Sequence, residues 1–494
     1  MKTNKFLTGR YCKAQMFFAV CLSFLAFMIT SVSHGATFYV DVNSENPEAP
    51  YDTLETATTT IQVAIDYSQQ PGDIILVAPG TYDKGGTLNT PPDLWNNDSI
   101  TNRVFINKAI IVKAISDDPA ETIIKGEPDM QTGIADCGEY AVRAVQIGSG
   151  AQLIGFTITE GYTRKNDFSS GSGGGVYAEH DSIISNCVIV ANQAQSGGGI
   201  YEGHVYNCEI NNNKSLKNGG GVRLSIVRNS TISENTSDAG GAGGQGGQYF
   251  HCIIADNVAA SGGGGLLQAA LAEDCRILRN KAGGAGAGVH SVTTVRRCLI
   301  EDNDATMSNN IGGGSTNSDL FECIVRGNKA GYTAGATGGT LVNCLIYNNV
   351  AMYHASGVAS ATLIKNCTIV NNTGGNAGLR GGGTIQNSIV WGNTPQNFDG
   401  AYTLEYCCFD DDGSGSLIWN WDDSINEDPM FLDPYTNFRL PKTSPCVDAG
   451  NNLTWTAEDL DLDGNPRVSR PDGRVDMGAY EFQFPPTGII FTGH

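Results

Sequence analysis

The chain has 494 residues, with 30 Lys+Arg against 51 Asp+Glu, a formal net charge of −21, and 63 glycines. A field of that sign repels nucleic acid and anionic lipid heads, and it disfavours an acidic polysaccharide unless Ca²⁺ or a local basic patch mediates. Disorder is excluded by apolar residues that recur at fixed spacing.

Residues 1–36 read as an export leader. Lys2, Lys5, Arg10 and Lys13 form a basic start without acids, Met16 to Thr30 is an apolar run, and a small, polar stretch leads to Gly35 and Ala36. The run is too short for a membrane span, and Val20 before Cys21 does not suit a lipoprotein cleavage site. Without these four basic residues the balance is 26 against 51, a net charge of −25. No second long apolar stretch occurs, so the mature chain is expected to carry no transmembrane segment and to stand outside the cell or on a bacterial surface.

Next comes a section, 37–150, that prepares a stack. Phe38 to Asp41 is a short strand. Thr56 to Tyr67 places Ile61, Ala64 and Ile65 at helical spacing and predicts an amphipathic capping helix. Gly72 to Val77 and Ala109 to Ala114 are strands of the buried type. Phe156, Ile158 and Gly161 look like a degenerate first unit of a repeat, and Thr163 to Ser172 reads as an outside loop.

From 151 to 400 the chain repeats. Cys187, Cys208, Cys252, Cys275, Cys298, Cys323, Cys344 and Cys367 are spaced by 21 to 25 residues, with one double gap that Ser230 fills and with Ser388 extending the series. Two positions after each stands Ile or Val. Five after each stands Asn: Asn192, Asn213, Asn235, Asn257, Asn280, Asn303, Asn328, Asn349, Asn372 and Asn393. Positions 0 and +2 share the inner face of a strand, while −1, +1 and +3 face out. Asn at +5 is expected to end the strand, to take up the left-handed region there and to stack into a hydrogen-bonded ladder. The glycines beyond it allow tight corners. A unit of about 22 residues has no room for a crossover helix and is half a propeller blade. The fold predicted is all-β: a right-handed, single-stranded parallel β-helix with an N-terminal capping helix and a small C-terminal cap region at 401–482, then a tail, 483–494. In-register strands predict a column of thiols rather than a disulfide frame.

The opening resembles the pectin-lyase-like β-helix superfamily through Phe38-Tyr39-Val40-Asp41, Ile61-Gln62-x-Ala64-Ile65, Gly72-Asp73-x-Ile75-x-Val77 and Gly80-Thr81-Tyr82. The repeat is similar to the polymorphic outer-membrane protein repeat: Ile189-x-x-Asn192 and Gly198-Gly199-Ile200 stand where that family has Phe-x-x-Asn and Gly-Gly-Ala-Ile. The end resembles the bacterial choice-of-anchor Q region through Asp428-Pro429-x-Phe431, Ser444-Pro445-x-Val447-Asp448-Ala449-Gly450, Asp461-Leu462-Asp463-Gly464 and Val475-Asp476-x-Gly478-Ala479-Tyr480-Glu481. These resemblances imply a bacterial envelope or extracellular protein and no single chemistry.

Candidate site residues lie in outward columns. Glu234, Asp256, Arg279 and Asp302 occupy +4 in successive units, where carboxylates beside an arginine suit either a ligand face or a charge-alternating ladder. Tyr347 and Trp391 hold outward +3 positions on which a sugar ring could stack. Asp459-x-Asp461-x-Asp463-Gly464 resembles the start of a calcium loop, but Arg470 stands where an EF-hand has Glu. No motif demands a cofactor, and Ca²⁺ is the one ion for which the sequence offers a turn. Gly241-x-Gly243-x-x-Gly246 matches a dinucleotide fingerprint by letters, with no helix or ribose acid after it. The function read from these features is a secreted or surface binding and structural protein, a monomer directed at extracellular polysaccharide; the alternative is a polysaccharide lyase or glycoside hydrolase on the same scaffold.

Overall fold

The chain is a right-handed parallel β-helix, the architecture its repeat predicts. The structure is a computed structural model. It describes residues 35–88, 99–165, 169–308, 311–410, 418–419, 423–452, 455–456, 459–468 and 473–483. The leader, except Gly35 and Ala36, and the tail, except Gln483, lie outside the described residues.

One coil shows how the sequence makes the turn. Cys187 is followed by the strand Val188–Val190, a corner at Ala191, the interior Asn192, the strand Gln193–Ala194, the glycine corner 197–199, the strand Ile200–Tyr201, a corner at Glu202, the strand His204–Tyr206 and a corner at Asn207 before Cys208. Each strand pairs in parallel with its counterpart one coil on. The +2 column runs Ile158, Ile189, Ile210, Ile232, Ile254, Ile277, Ile300, Val325, Ile346, Ile369 and Val390 with no slip of register. Those residues and the column cysteines are buried in one continuous core, which is how a solenoid grows without a wider interior.

The corners correct one expectation. The left-handed residue is not the Asn at +5 but the residue before it: Glu234, Asp256, Arg279 and Asp302 have φ of 57°, 58°, 52° and 55°. The −1 position is left-handed too, as at Asp274 (54°), Arg297 (49°) and Asn343 (55°). Two such corners bracket each three-residue strand, turn the chain through the bend, and leave the +5 side chain inside. A non-glycine residue in this region carries strain, here offset by the hydrogen bond from each corner N–H to the next coil, as from Asp256 to Leu278 O at 3.0 Å. The glycines after the Asn have a distinct reason. A Cβ on Gly199 would fall 2.6 Å from Gly221 O and 3.0 Å from the Asn213 amide, so this corner is bare because the next coil's ladder presses on it. Gly241 and Gly243 belong to these corners, where a Cβ on Gly243 would fall 3.0 Å from the Asn257 amide, and Gly246 to the next bend, after the strand Gly244–Gln245.

The interior is also matched by volume. Gly244 pairs with Val222 and Leu266 on its neighbours, and a Cβ there would meet the Tyr249 hydroxyl at 2.1 Å. The missing side chain makes room for Tyr249, which is fully buried and whose hydroxyl has no partner among the described residues. Tyr249→Phe is therefore expected to raise the unfolding free energy by about 0.5–2 kcal/mol, since a buried, unpaired hydroxyl costs about that much. Urea melts of the two proteins check this; a loss of stability would show that the hydroxyl has a partner.

The ends differ. At the start, the helix Ile61–Tyr67 buries Ile61, Ala64 and Ile65 against the strands Thr37–Val40 and Ile74–Val77. Phe156 takes the cysteine position, and Gly161 N–H donates to Asn192 Oδ1 at 2.9 Å. The described ends of the 163–172 segment are not outside: Thr163, Ser170 and Ser172 are buried, and the buried Arg143 guanidinium holds the carbonyls of Ser169, Ser172 and Gly173. At the other end the strand Phe398–Glu405 carries the stack past residue 401, and Ile425 closes the last turn against Cys407 and Phe409. The chain then runs back along the flank of the final coils.

Candidate functional site

The charged corners face outward and are largely neutralised in pairs. Arg279 donates to both oxygens of Asp256, at 2.9 and 2.6 Å. Glu234 accepts from the Asn212 amide at 3.1 Å. Arg297 bridges Asp274 (2.7 and 2.9 Å) and Glu273 (2.7 Å), with Glu322 3.8 Å away, and its hydrogen bond holds the Asp274 carboxyl below the ordinary range. Of the four +4 residues, the structure thus joins Asp256 to Arg279 and gives Glu234 to a neighbouring amide. Asp302 lies farther along the same column, exposed.

Tyr347 and Trp391 do point out of the helix, but they are not an open face. The described residues of the segment 428–482 cover them, through Phe431, Phe438, Leu462, Ala479 and Tyr480. Tyr347 is buried in a cluster with Leu345, Val370, Phe438 and Tyr480, with Trp391 and Phe431 packed against it; its ring meets that of Phe438 at 5.0 Å, edge-on. The −1 asparagines of these coils anchor the covering segment. Asn343 donates to Leu460 O at 2.9 Å and accepts from Arg467 at 2.6 Å. Asn366 donates to Asp476 O and accepts from the Trp455 indole. Asn387 donates to Asn451 O at 2.7 Å. A sequence signal for this existed: outward positions that are polar or mixed in earlier coils become Leu345, Tyr347, Val370, Ile389 and Trp391 in the last ones.

Where the covering segment ends, a groove of about 420 Å³ opens between it and the stack. Its stack side is Glu301, Asp302, Arg326 and Asn348, its far wall Tyr435 and Thr436. Arg326 pairs with Glu301 at 2.6 Å and donates to the Tyr347 hydroxyl at 2.7 Å. A Cβ on Gly327 would fall 2.3 Å from Asp302 Oδ1, so a larger residue there would push the Asp302 side chain aside. The Tyr435 ring is 73% exposed beside these groups. Carboxylate, guanidinium, amide and an open aromatic ring meet here, a set able to hydrogen-bond and stack a sugar.

The Asp459, Asp461 and Asp463 run does not converge on one ion. Asp459 accepts from Thr456. Asp461 is buried and accepts from the N–H groups of Asp463, Asn465 and Glu481. Asp463 pairs with Arg439. No group of three or more metal-ligating side chains occurs among the described residues, and none of their helices is long and apolar enough to cross a membrane.

Sequence reasoning missed a second outward face. Tyr177 and Tyr201 stack at 5.3 Å and 4°, with the Arg143 guanidinium 4.9 Å from the Tyr177 ring and that of Arg228 3.8 Å from Phe250. The signal was the residue after the inward Val176 and Ile200 in the strand beyond each glycine corner.

No protein-family model matches the chain, and no curated protein is similar to it. Among solved structures it is similar to a mannuronic acid specific polysaccharide family 6 lyase from human gut microbiota, at 14% identity and a TM-score of 0.29 over 68% of this chain and 82% of that one. It is similar to the Dettilon tailspike protein at 15% identity and a TM-score of 0.35, over 75% and 68%. A third is the catalytic unit of a thermostable α-1,3-glucanase from Streptomyces thermodiastaticus, at 12% and 0.32, over 72% and 65%.

Proposed function

We propose that this chain is an exported β-helix that binds an extracellular polysaccharide without cleaving it, and that the contact is centred on the Asp302–Arg326–Tyr435 groove. The carrying observation is that outward carboxylates pair with arginines of adjacent coils, the corner Asp256 with Arg279 and the strand residue Glu301 with Arg326. Paired carboxylates of this kind form a rigid ladder, whereas hydrolysis of a glycosidic bond by the usual two-carboxyl route needs one carboxyl free as acid and another as base or nucleophile across the scissile bond. The leader-like first 36 residues and the resemblance of the end to an anchor region support export. Strong negative charge favours a neutral or Ca²⁺-bridged glycan over a bare polyanion.

Retention on polysaccharide affinity gels, with and without Ca²⁺, tests the reading. Asp302→Ala combined with Tyr435→Ala is expected to weaken retention about tenfold, near 1.4 kcal/mol, while Asp256→Ala with Arg279→Ala leaves it unchanged. Equal retention by the first double variant and the parent moves the site elsewhere, with the Tyr177–Tyr201 face next. Release of reducing or unsaturated ends by the parent would establish the lyase or hydrolase alternative.

A further inference from the structure

The cysteines fall into two kinds. Those of the column lie inside the stack in register. Each donates to a carbonyl two residues back, as Cys275 does to Glu273 at 3.2 Å, and several accept a backbone N–H from the coil before, as Cys275 Sγ does from Cys252 at 3.5 Å. In-register strands keep successive Cβ atoms near the strand spacing of about 4.8 Å, beyond the about 3.8 Å a disulfide wants. Cys407 belongs with them, one register step from Ser388.

Cys408 does not. It pairs with Ile389 in register, so it faces outward, toward the segment folded back over the flank. Cys446 comes from that segment. Both are fully buried, in one cluster with Ile389, Leu440 and Met477; both are free thiols in this structure, and Cys408 donates to Glu427 O at 3.2 Å. The two arrive from opposite sides of an interface rather than from stacked strands, so no register holds their Cβ atoms apart. The segment is fixed on either side of the contact, by Met477 N–H to Cys446 O at 3.0 Å and Gly478 N–H to Asn387 O at 2.7 Å.

We propose that Cys408 and Cys446 are joined by a disulfide that staples the C-terminal segment to the last coil and holds the far wall of the groove in place. The proposal rests on the reading that the protein is exported, because oxidising compartments are where such bonds persist. The oxidant is an exchangeable disulfide of that compartment. One thiolate attacks it, giving a mixed disulfide and one released thiol. The second thiolate displaces the other half, leaving the Cys408–Cys446 bond. Two protons are lost from the pair, and the oxidant takes up two electrons as two thiols. With both sulfurs fully buried once the segment is down, exchange takes place while the segment is still lifted. The Cys446 contact and burial raise the Cys408 thiol far above its ordinary range, so the closed pair, while reduced, is slow to react.

The test uses the full chain expressed with its leader, acid-quenched, alkylated in denaturant without reductant, and digested for mass spectrometry. The expected result is one linked peptide pair, Cys408 to Cys446, with the column cysteines alkylated; Cys408→Ser is expected to free Cys446 for alkylation. With the link in place, protease cleavage within 428–452 is expected to be at least tenfold slower than in Cys446→Ser. Cell fractionation separates the two ideas. Protein found outside the cytoplasm with both thiols alkylated overturns the staple. Protein found only in the cytoplasm overturns the export reading instead, and the pair is then judged by refolding in a glutathione redox buffer: a Cys408–Cys446 link supports it, and links among column cysteines or none at all overturn it.

Discussion

Asn257→Ala is expected to lower the unfolding free energy by about 3–5 kcal/mol, and Asn280→Ala by a similar amount. Asn257 Oδ1 accepts from both the backbone N–H and the side-chain amide of Asn235, each at 3.0 Å. Its own amide donates to Ile232 O at 3.0 Å and to Asn280 Oδ1 at 2.9 Å. Alanine leaves these groups buried on two adjacent coils, and a buried group without a partner costs about 1–3 kcal/mol; shared partners keep the total below a simple sum. Urea denaturation with linear extrapolation measures the change against Lys281→Ala, an exposed neighbour. Equal midpoints for the asparagine variants and the lysine control would remove the ladder as a source of stability.

Arg467→Ala should detach the C-terminal segment while the stack stays folded. The guanidinium is fully buried and donates to Glu481 Oε1 at 2.8 Å, Gly478 O at 3.0 Å and Asn343 Oδ1 at 2.6 Å. Removing it leaves three buried acceptors, Gly478 O, Glu481 Oε1 and Asn343 Oδ1, without their donor, at about 1–3 kcal/mol each. That is enough to open an interface of a few dozen residues, exposing Tyr347, Val370 and Phe438. Hydrogen exchange should then accelerate in 428–482 but not in the strands between 188 and 300. Protection unchanged in the segment would mean that other contacts hold it.

The same cluster sets a pH dependence. Burial pushes the Glu481 carboxyl up to about 8 against the pull of Arg467, and Asp476 up to about 6. The docked segment therefore keeps protons that the free chain releases near pH 4. Their contribution is complete below about pH 4 and is lost as pH rises through the two raised values, so docking is tightest in mild acid and weakest above about pH 8. Glu481→Gln should flatten this profile. A profile that rises with pH would reverse the assignment.

Much of the fold was legible. The inward alternation of Cys187 and Ile189, repeated ten times with Asn at +5, specifies parallel coils because only identical spacing lets every strand find its counterpart without a slip. The capping helix showed in Ile61, Ala64 and Ile65. Less legible was which residue turns each corner. Asp256 and Asn257 are both residue types that tolerate a left-handed φ, and only the stack decides that the ladder needs the second inside. Asn397 closes the ladder by accepting from Asn393, yet it stands four residues on rather than a repeat on, so no column contained it.

The candidate site was legible only in part, and the reason is geometric. Periodicity reports the direction in which a side chain leaves the coil, and by itself it determined the core columns, the thiol stack and the outward placement of Asp302, Tyr347 and Trp391. It does not report what stands opposite. That Tyr347 is covered while Asp302 is not, that Asp461 turns its carboxylate onto backbone N–H groups, and that Tyr435 walls a groove beside Arg326 all depend on where residues 428–482 come to rest. Their place is set by contacts between positions more than 100 apart, such as Asn343 with Arg467, which leave no periodic trace in the chain and exist only once the stack has formed a surface to dock against.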